Sequence, residues 1–193
     1  MSGLAQPQFI SVEDYLAGEE VSPIKHEYVA GEVFAMAGAN EAHVTIALNV
    51  AAMLRAHVRG GPCRVYISDM KLRVARAESF FYPDVFVTCD PADAGESQAK
   101  QRATLVIEVL SESTEAYDRG VKFARYRKLD SLLEYVLIDA ERQSIDVFRR
   151  REEHWLLCPV SEGERLELAS LDFGCPIADV YEDVRFEPRS ENG

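Results

Sequence analysis

The stretch TLVIEVL at residues 104–110 is an apolar run that contains one carboxylate, Glu108. Successive side chains of a β-strand point to opposite faces, so residues 105, 107 and 109 share one face and residues 106, 108 and 110 the other. Both faces are apolar apart from Glu108, which predicts a central strand buried on both sides. An ionised carboxylate is costly there unless it is paired, hydrogen-bonded or bound to a cation. Glu108 is therefore either a structural ion-pair partner or a functional group.

Length and composition predict one compact domain. The chain has 193 residues, of which 47% are hydrophobic, and this suffices for one well-buried core but not for two ordinary domains. We expect the domain to span residues 9–186, with flexible tails at 1–8 and 187–193. The N-terminal residues lack a basic start and an apolar core, and no segment approaches the ~18 consecutive apolar residues of a membrane span. The sequence thus predicts a soluble, cytoplasmic protein without membrane contact.

The cysteines give no sign of a metal or redox motif. They stand singly and far apart, without the paired spacing that zinc sites and dithiol motifs use. We predict reduced, mostly buried thiols at all four positions, namely Cys63, Cys89, Cys158 and Cys175.

Hydrophobic periodicity and turn residues predict helices that flank a mixed β-sheet, an α+β (α/β) fold. The predicted elements are a capped helix at 11–16, a hairpin at 26–36 turning at Ala30-Gly31, a helix at 40–58, strands at 63–74 and 80–87, the strand at 104–110, a helix at 115–129, and a meander at 133–138, 144–148 and 155–160. The stripe of the 40–58 helix predicted to face the sheet comprises Val44, Leu48, Ala51, Leu54 and Val58. His43 lies in the first turn of that helix, where a surface or capping role is expected. The polar residues 90–101 predict a mobile loop.

Two acidic residues occupy strand positions where apolar residues are expected. Asp84 follows Pro83, which predicts an irregular strand start, and Glu108 lies in the central strand. Two carboxylates on adjacent strands can hold Mg²⁺ or Mn²⁺, and a nearby ammonium can orient or activate a water molecule. Hydrolysis of a phosphodiester bond needs that combination.

A net charge of −12 opposes binding of polyanions, so any nucleic-acid contact needs a local basic surface. Residues 119–128 contain five basic residues and no acidic one. A solvated helix face would carry the same pattern. The candidates for nucleic-acid contact in this segment are Arg119, Arg125, Arg127 and Lys128.

A family resemblance rests on the same residues. Pro83-Asp84, IEVLS at 107–111 and STEAYDRGVKFARY at 113–126 together resemble the Uma-two family of restriction-endonuclease-like proteins, within the PD-(D/E)XK nuclease superfamily. The resemblance extends from VEDYL at 12–16 and EYVAGEV at 27–33 through the meander. It implies a restriction-endonuclease-like core.

The resemblance also implies a set of site residues. Asp84 and Glu108 would be metal ligands, with the Val109 carbonyl as a third. The superfamily's lysine two residues after the second acid is Leu110 here, and Lys122 on the following helix is the matching candidate. We expect this lysine to be accessible and to contribute little to stability. Further site candidates are Glu27, Glu32, Asp69 and Tyr126.

The sequence thus predicts an Mg²⁺- or Mn²⁺-dependent endonuclease that acts on DNA as a homodimer, because one small domain cannot span both strands of a duplex. Two alternatives stay open at this point. The protein could be a catalytically silent module that binds nucleic acid or protein, or Asp84, Glu108 and Lys122 could form only a buried structural ion-pair triad.

Overall fold

The central strand lies where the sequence predicts it. Residues 9–36 and 38–186 are described by the structure, a computed structural model; the tails predicted at 1–8 and 187–193 lie outside them. Strand Ala103–Leu110 is almost entirely buried. Its odd-numbered side chains, from Leu105 to Val109, belong to one hydrophobic cluster, and Val106 and Leu110 belong to a second cluster on the opposite face. The predicted alternation is confirmed.

Strands outnumber helices in the described residues, and several strands follow one another without an α-helix between them. The strands are β1 (His26–Val29), β2 (Glu32–Ala35), β3 (Arg64–Ile67), β4 (Lys71–Val74), β5 (Ser79–Phe81), β6 (Val85–Thr88), β7 (Ala99–Lys100), β8 (Ala103–Leu110), β9 (Glu134–Asp139), β10 (Ser144–Arg151), β11 (His154–Ser161), β12 (Arg165–Leu168) and β13 (Phe173–Pro176). The α-helical segments are α1 (Val12–Val21), α2 (Glu41–His57), α3 (Glu115–Tyr117), α4 (Phe123–Tyr126) and α5 (Ile177–Val180). A π turn, Asp118–Lys122, joins α3 to α4.

Two sheets carry the architecture, so the predicted α+β fold with mixed sheets and flanking helices is confirmed. The larger has the order β11-β10-β9-β8-β6-β3, with β8 and β9 parallel and the other neighbours antiparallel. The smaller has the order β2-β1-β5-β4-β7. Helix α2 covers one face of the larger sheet, and the other face packs towards the smaller sheet and the helix after β8. Burying each large aliphatic side chain of β8 contributes about 1.5–3 kcal/mol.

Two predicted boundaries differ from the structure. The strand predicted at 63–74 is two strands, β3 and β4, which a turn at 68–70 sends into different sheets. That turn contains neither glycine nor proline, so the sequence hides it. Helix α1 continues to Val21, beyond the predicted end at residue 16, although Ser11 caps it as predicted, accepting a hydrogen bond from the Asp14 amide at 3.1 Å.

The face of α2 that packs on the sheet differs from the predicted stripe. Val44 and Leu48 were expected in the core, yet they are 53% and 65% exposed. Ile46 and Val50 take their place and are almost fully buried, while Leu54 is buried as predicted. The helix is apolar on more than one side, so the pattern alone did not identify the face that the sheet covers.

The loop predicted to be mobile at 90–101 is tied down by its own charged residues. The buried Asp93 carboxylate accepts hydrogen bonds from Thr88 Oγ1 at 2.8 Å and from the amides of Gln101 and Arg102 at 3.0 and 2.9 Å. The buried Lys100 ammonium donates to the Asp93 carbonyl at 2.8 Å. Composition predicted a solvated loop because the partners of these charges were not visible in sequence.

The prediction of four reduced cysteines is wrong for two of them. Cys63 and Cys89 form a disulfide, while Cys158 and Cys175 are free thiols. Cys63 precedes β3 and Cys89 follows β6, and Arg64 pairs with Thr88 across these antiparallel strands. The cysteines are thus neighbours across the sheet although 26 positions apart in sequence.

Candidate active site

Strand pairing brings Asp84 and Glu108 together. Strands β6 and β8 are antiparallel with Val85 opposite Ile107, so Asp84, directly before β6, lies opposite Glu108. The Asp84 Oδ2 atom accepts a hydrogen bond from the Val109 amide at 2.8 Å, and the Asp84 amide lies 3.4 Å from Glu108 Oε2. Val109 contacts Asp84 through its N–H, and its carbonyl, which the family resemblance implies as a metal ligand, takes no part in this contact.

The helix after β8 supplies two groups to Glu108. Tyr126 Oη donates to Glu108 Oε1 at 2.9 Å, and Lys122 Nζ lies 3.3 Å from the same oxygen. Both side chains are buried, so Lys122 is not the accessible lysine that the sequence predicted. Glu108 Oε1 is therefore held by two donors, and Oε2 is the oxygen directed towards Asp84.

Lys122 is surrounded by carboxylates. Its Nζ atom lies 3.1 Å from Glu27 Oε1 and 3.1 Å from Asp118 Oδ1, in addition to Glu108. Glu27 and Asp118 are 6% and 2% exposed, and these two oxygens make no hydrogen bond of good geometry. One ammonium thus faces three buried carboxylates, which leaves an excess of negative charge beside Asp84.

Burial and charge act in opposite directions on the pKa values of this cluster. Burial raises the pKa of Glu108 well above its usual range, against the pull of the Lys122 ammonium. Burial likewise raises the pKa of Glu27. Burial alone would lower the pKa of Lys122, but Glu108, Glu27 and Asp118 hold it well above its ordinary value. The lysine is therefore a fixed positive charge and not a proton acceptor.

His43 reaches Asp84 from α2. Its Nε2 atom lies 2.9 Å from Asp84 Oδ1, and the two side chains are 15% and 16% exposed, compared with 3% for Glu108. A surface or capping role was predicted for His43, since nothing in the helix pattern indicates that the first turn of α2 lies against the start of β6. Asp84 and His43 form the part of the cluster that solvent reaches.

Two of the further candidates lie outside this cluster. Glu32 is exposed on β2, and Asp69 is exposed and pairs with Lys25. Glu27 and Tyr126 lie within it, as described above. The predicted site residues that the fold brings together are Glu27, Asp84, Glu108, Lys122 and Tyr126.

The basic segment is only partly available for a ligand. Arg119 pairs with Glu115 and Asp146 at 2.7 and 2.6 Å. Arg125 donates to the Ala77 carbonyl at 2.6 Å. Arg127 and Lys128 are exposed, with the Arg127 guanidinium 4.9 Å from the centre of the Phe123 ring. A cavity of about 310 Å³ next to Lys128 lies away from Asp84 and Glu108.

A divalent cation fits the chemistry of the cluster. In the part of the chain that the structure describes, no group of three or more His, Cys, Asp or Glu side chains stands ready as a complete metal site. Mg²⁺, however, commonly takes one or two carboxylates and completes its shell with water and substrate oxygens. Asp84 and Glu108 lie side by side across two strands, and the three buried carboxylates that share one ammonium leave negative charge that a cation would offset. Asp84 and Glu108 are the residues that would hold it.

Comparison with a solved structure identifies the class of fold. The chain superposes on a protein from Anabaena variabilis ATCC 29413 described as "a putative nuclease belonging to DUF820", with a TM-score of 0.70. The match covers 90% of this chain and 98% of the other, at 15% sequence identity. The protein therefore has a nuclease-like α+β fold.

Sequence comparison then gives the family. Residues 12–178 match the model of the Uma2 family, described as "Putative restriction endonuclease", and the chain belongs to that family. Two relatives come from Synechocystis sp. (strain ATCC 27184 / PCC 6803 / Kazusa). "Uncharacterized protein slr1290" is 36% identical over 92% of this chain and 94% of its own length, and "Uncharacterized protein sll1609" is 33% identical over 87% and 96%. The resemblance to the Uma-two family is confirmed.

Proposed function

We propose that this protein is a metal-dependent endonuclease that hydrolyses phosphodiester bonds of DNA in the cytoplasm. The observation that carries the proposal is the meeting of Asp84 and Glu108 across β6 and β8, beside a buried lysine that Glu108 shares with two further carboxylates. Family membership and the nuclease-like fold support phosphodiester hydrolysis as the reaction.

Each site residue has a distinct task in this proposal. An Mg²⁺ or Mn²⁺ ion held by Asp84 and Glu108 would polarise a phosphate oxygen as a Lewis acid, and it would lower the pKa of a water molecule bound to it. Tyr126 and Lys122 hold Glu108 through Oε1, which leaves Oε2 for the cation. The Val109 amide holds Asp84 through Oδ2 in the same way. Lys122 also keeps the cluster from becoming too negative for a phosphodiester to approach.

DNA would approach from the side on which Asp84 and His43 meet solvent, because Glu108 and Lys122 are enclosed. Arg127 and Lys128 are the exposed members of the basic segment and are proposed to contact phosphates. Arg119 and Arg125 are engaged in internal contacts, so we assign them a smaller share of that binding.

Asp84→Asn is expected to abolish metal binding and metal-dependent cleavage. The amide keeps the size of the side chain but removes the charge that a hard divalent cation requires. Calorimetric titration with Mn²⁺ and nicking of supercoiled plasmid in Mg²⁺ or Mn²⁺ test this. Asp69→Asn is the matched control, since Asp69 is exposed and outside the cluster.

Several outcomes would overturn the proposal. Undiminished Mn²⁺ binding in Asp84→Asn would refute the metal site. Salt-sensitive DNA binding without cleavage by the wild type in either metal would establish a silent binding module instead. If the wild type binds neither a metal ion nor DNA, the buried charges form only a structural ion-pair cluster.

We also propose that the protein acts as a homodimer, because cleavage of both strands of a duplex requires two active sites. Light scattering is expected to give twice the 21.6 kDa chain mass at micromolar concentration. A particle of the monomer mass across that range, with or without duplex DNA, would contradict the dimer.

A further inference from the structure

We infer that His43 is a third ligand of the cation, which gives this site a nitrogen donor and a preference for Mn²⁺ over Mg²⁺. The inference rests on the proposed metal site at Asp84 and Glu108 and adds a residue to it. It starts from the 2.9 Å separation between His43 Nε2 and Asp84 Oδ1.

That separation suits two ligands of one ion. Adjacent ligands about 2.1 Å from an octahedral ion lie roughly 3 Å apart, since they subtend a right angle. Without a cation, the Nε2–H tautomer of His43 donates to Asp84 Oδ1. A bound cation would instead select the other neutral tautomer, with the proton moved from Nε2 to Nδ1, so that the Nε2 lone pair and Oδ1 could both bind one ion.

The hydrogen bonds to the two carboxylates divide between their oxygens. Asp84 Oδ2 is engaged by the Val109 amide, and the hydrogen-bond partner of Oδ1 is His43 itself. Glu108 Oε1 is engaged by Tyr126 and Lys122, whereas Oε2 accepts only a long contact of 3.4 Å from the Asp84 amide. A cation at Oδ1 and Oε2 would therefore leave the bonds to Oδ2 and Oε1 in place, and it would replace the proton that joins Oδ1 to His43.

Helix α2 holds the imidazole in place. The Asn40 side chain caps the helix by accepting from the His43 amide at 2.9 Å, and the buried Ile46, Val50 and Leu54 fix α2 against the sheet. A ligand on a packed helix keeps its position as the ion binds, so His43 is suited to bind the cation directly. Imidazole nitrogen is a better donor to Mn²⁺ than to Mg²⁺, which favours oxygen and water.

Pulsed electron paramagnetic resonance of bound Mn²⁺ tests the inference without any catalytic assay. Coupling of the electron spin to a directly bound imidazole ¹⁴N is expected in the wild type and is expected to disappear in His43→Ala. His57→Ala is the matched control, because His57 lies at the other end of α2 and contacts the Leu171 carbonyl. His43→Ala should also weaken Mn²⁺ binding by at least about tenfold and Mg²⁺ binding by less.

The possible results separate this inference from the proposed function. Mn²⁺ that binds in an Asp84-dependent manner without ¹⁴N coupling would overturn the role of His43 and leave the nuclease proposal standing. Coupling that persists in His43→Ala would also overturn it. Absence of Mn²⁺ binding to the wild type would overturn both. Circular dichroism of His43→Ala checks that the fold is intact, and His43→Asn, which can still hydrogen-bond to Asp84, is expected to lack the coupling as well.

Discussion

Replacing Lys122 with methionine is expected to destabilise the protein by about 3–5 kcal/mol and to abolish cleavage. The substitution leaves Glu27, Glu108 and Asp118 buried without their shared cation. Urea unfolding followed by the fluorescence of Trp155, the only tryptophan, measures the loss, since its ring packs edge-on to Phe123 at 5.4 Å. Cleavage is measured at a temperature where the variant is folded.

Two further variants make this result specific. Lys25→Met removes a lysine from an exposed pair with Asp69 and should change stability little, because exposed ion pairs contribute little. Adding Glu27→Gln to Lys122→Met should restore part of the lost stability by removing one unpaired charge, giving a favourable coupling in a double-mutant cycle. A Lys122→Met protein as stable and as active as the wild type would contradict the description of the cluster.

Glu108→Gln should separate stability from activity. Cleavage is expected to fall by at least about 10²-fold, because a metal-binding carboxylate is lost. Stability in EDTA is expected to rise relative to the wild type, since glutamine still accepts from Tyr126 while a desolvated charge beside two other buried acids is removed. Urea unfolding in EDTA between pH 5 and 8 measures this difference.

The pH dependence of that difference follows from the raised pKa of Glu108. Between the unfolded value of about 4.3 and the higher folded value, the folded state keeps a proton that the unfolded chain has released. The free energy of unfolding of the wild type therefore falls as the pH rises through this window, and Glu108→Gln lacks that contribution. The variant's advantage should grow from pH 5 to pH 8. An advantage that shrinks with rising pH would show that the pKa is lowered and not raised.

How much the sequence could predict depended on whether the evidence was local. The alternation around Glu108 is local and strong, so the central strand and both of its faces were correctly predicted. The turn between β3 and β4 and the Cys63–Cys89 pair depend on which strands are neighbours in the sheets, and these predictions failed. The partners of Asp93 are near in sequence, but the pattern does not indicate that the chain folds back to bring them together. The place of Lys122 came from the family resemblance. Its burial could not be foreseen, because two of the three carboxylates around it, Glu27 and Glu108, come from other elements of the chain.

His43 shows a different limit. A histidine in the first turn of a helix is most often a surface residue, and the pattern of α2 does not indicate where its N-terminus lies relative to the strands. Only the packing of α2 on the sheet puts the imidazole against Asp84. The only sign in the sequence was the presence of a histidine. Histidines are too common for one of them, by itself, to indicate a metal ligand.

The geometry of the site depends on the number of residues in the π turn as well as on which residues they are. Asp118, Lys122 and Tyr126 are buried at a spacing of four, whereas a regular α-helix with 3.6 residues per turn would drift by about 80° over eight residues. Loss of one residue from the turn would rotate Tyr126 by about 100° away from Glu108 while every reactive group remained in the chain. A side chain added at Gly120 would meet no atom within 4 Å. Natural variation should therefore alter the residue at this position far more readily than the number of residues in the turn.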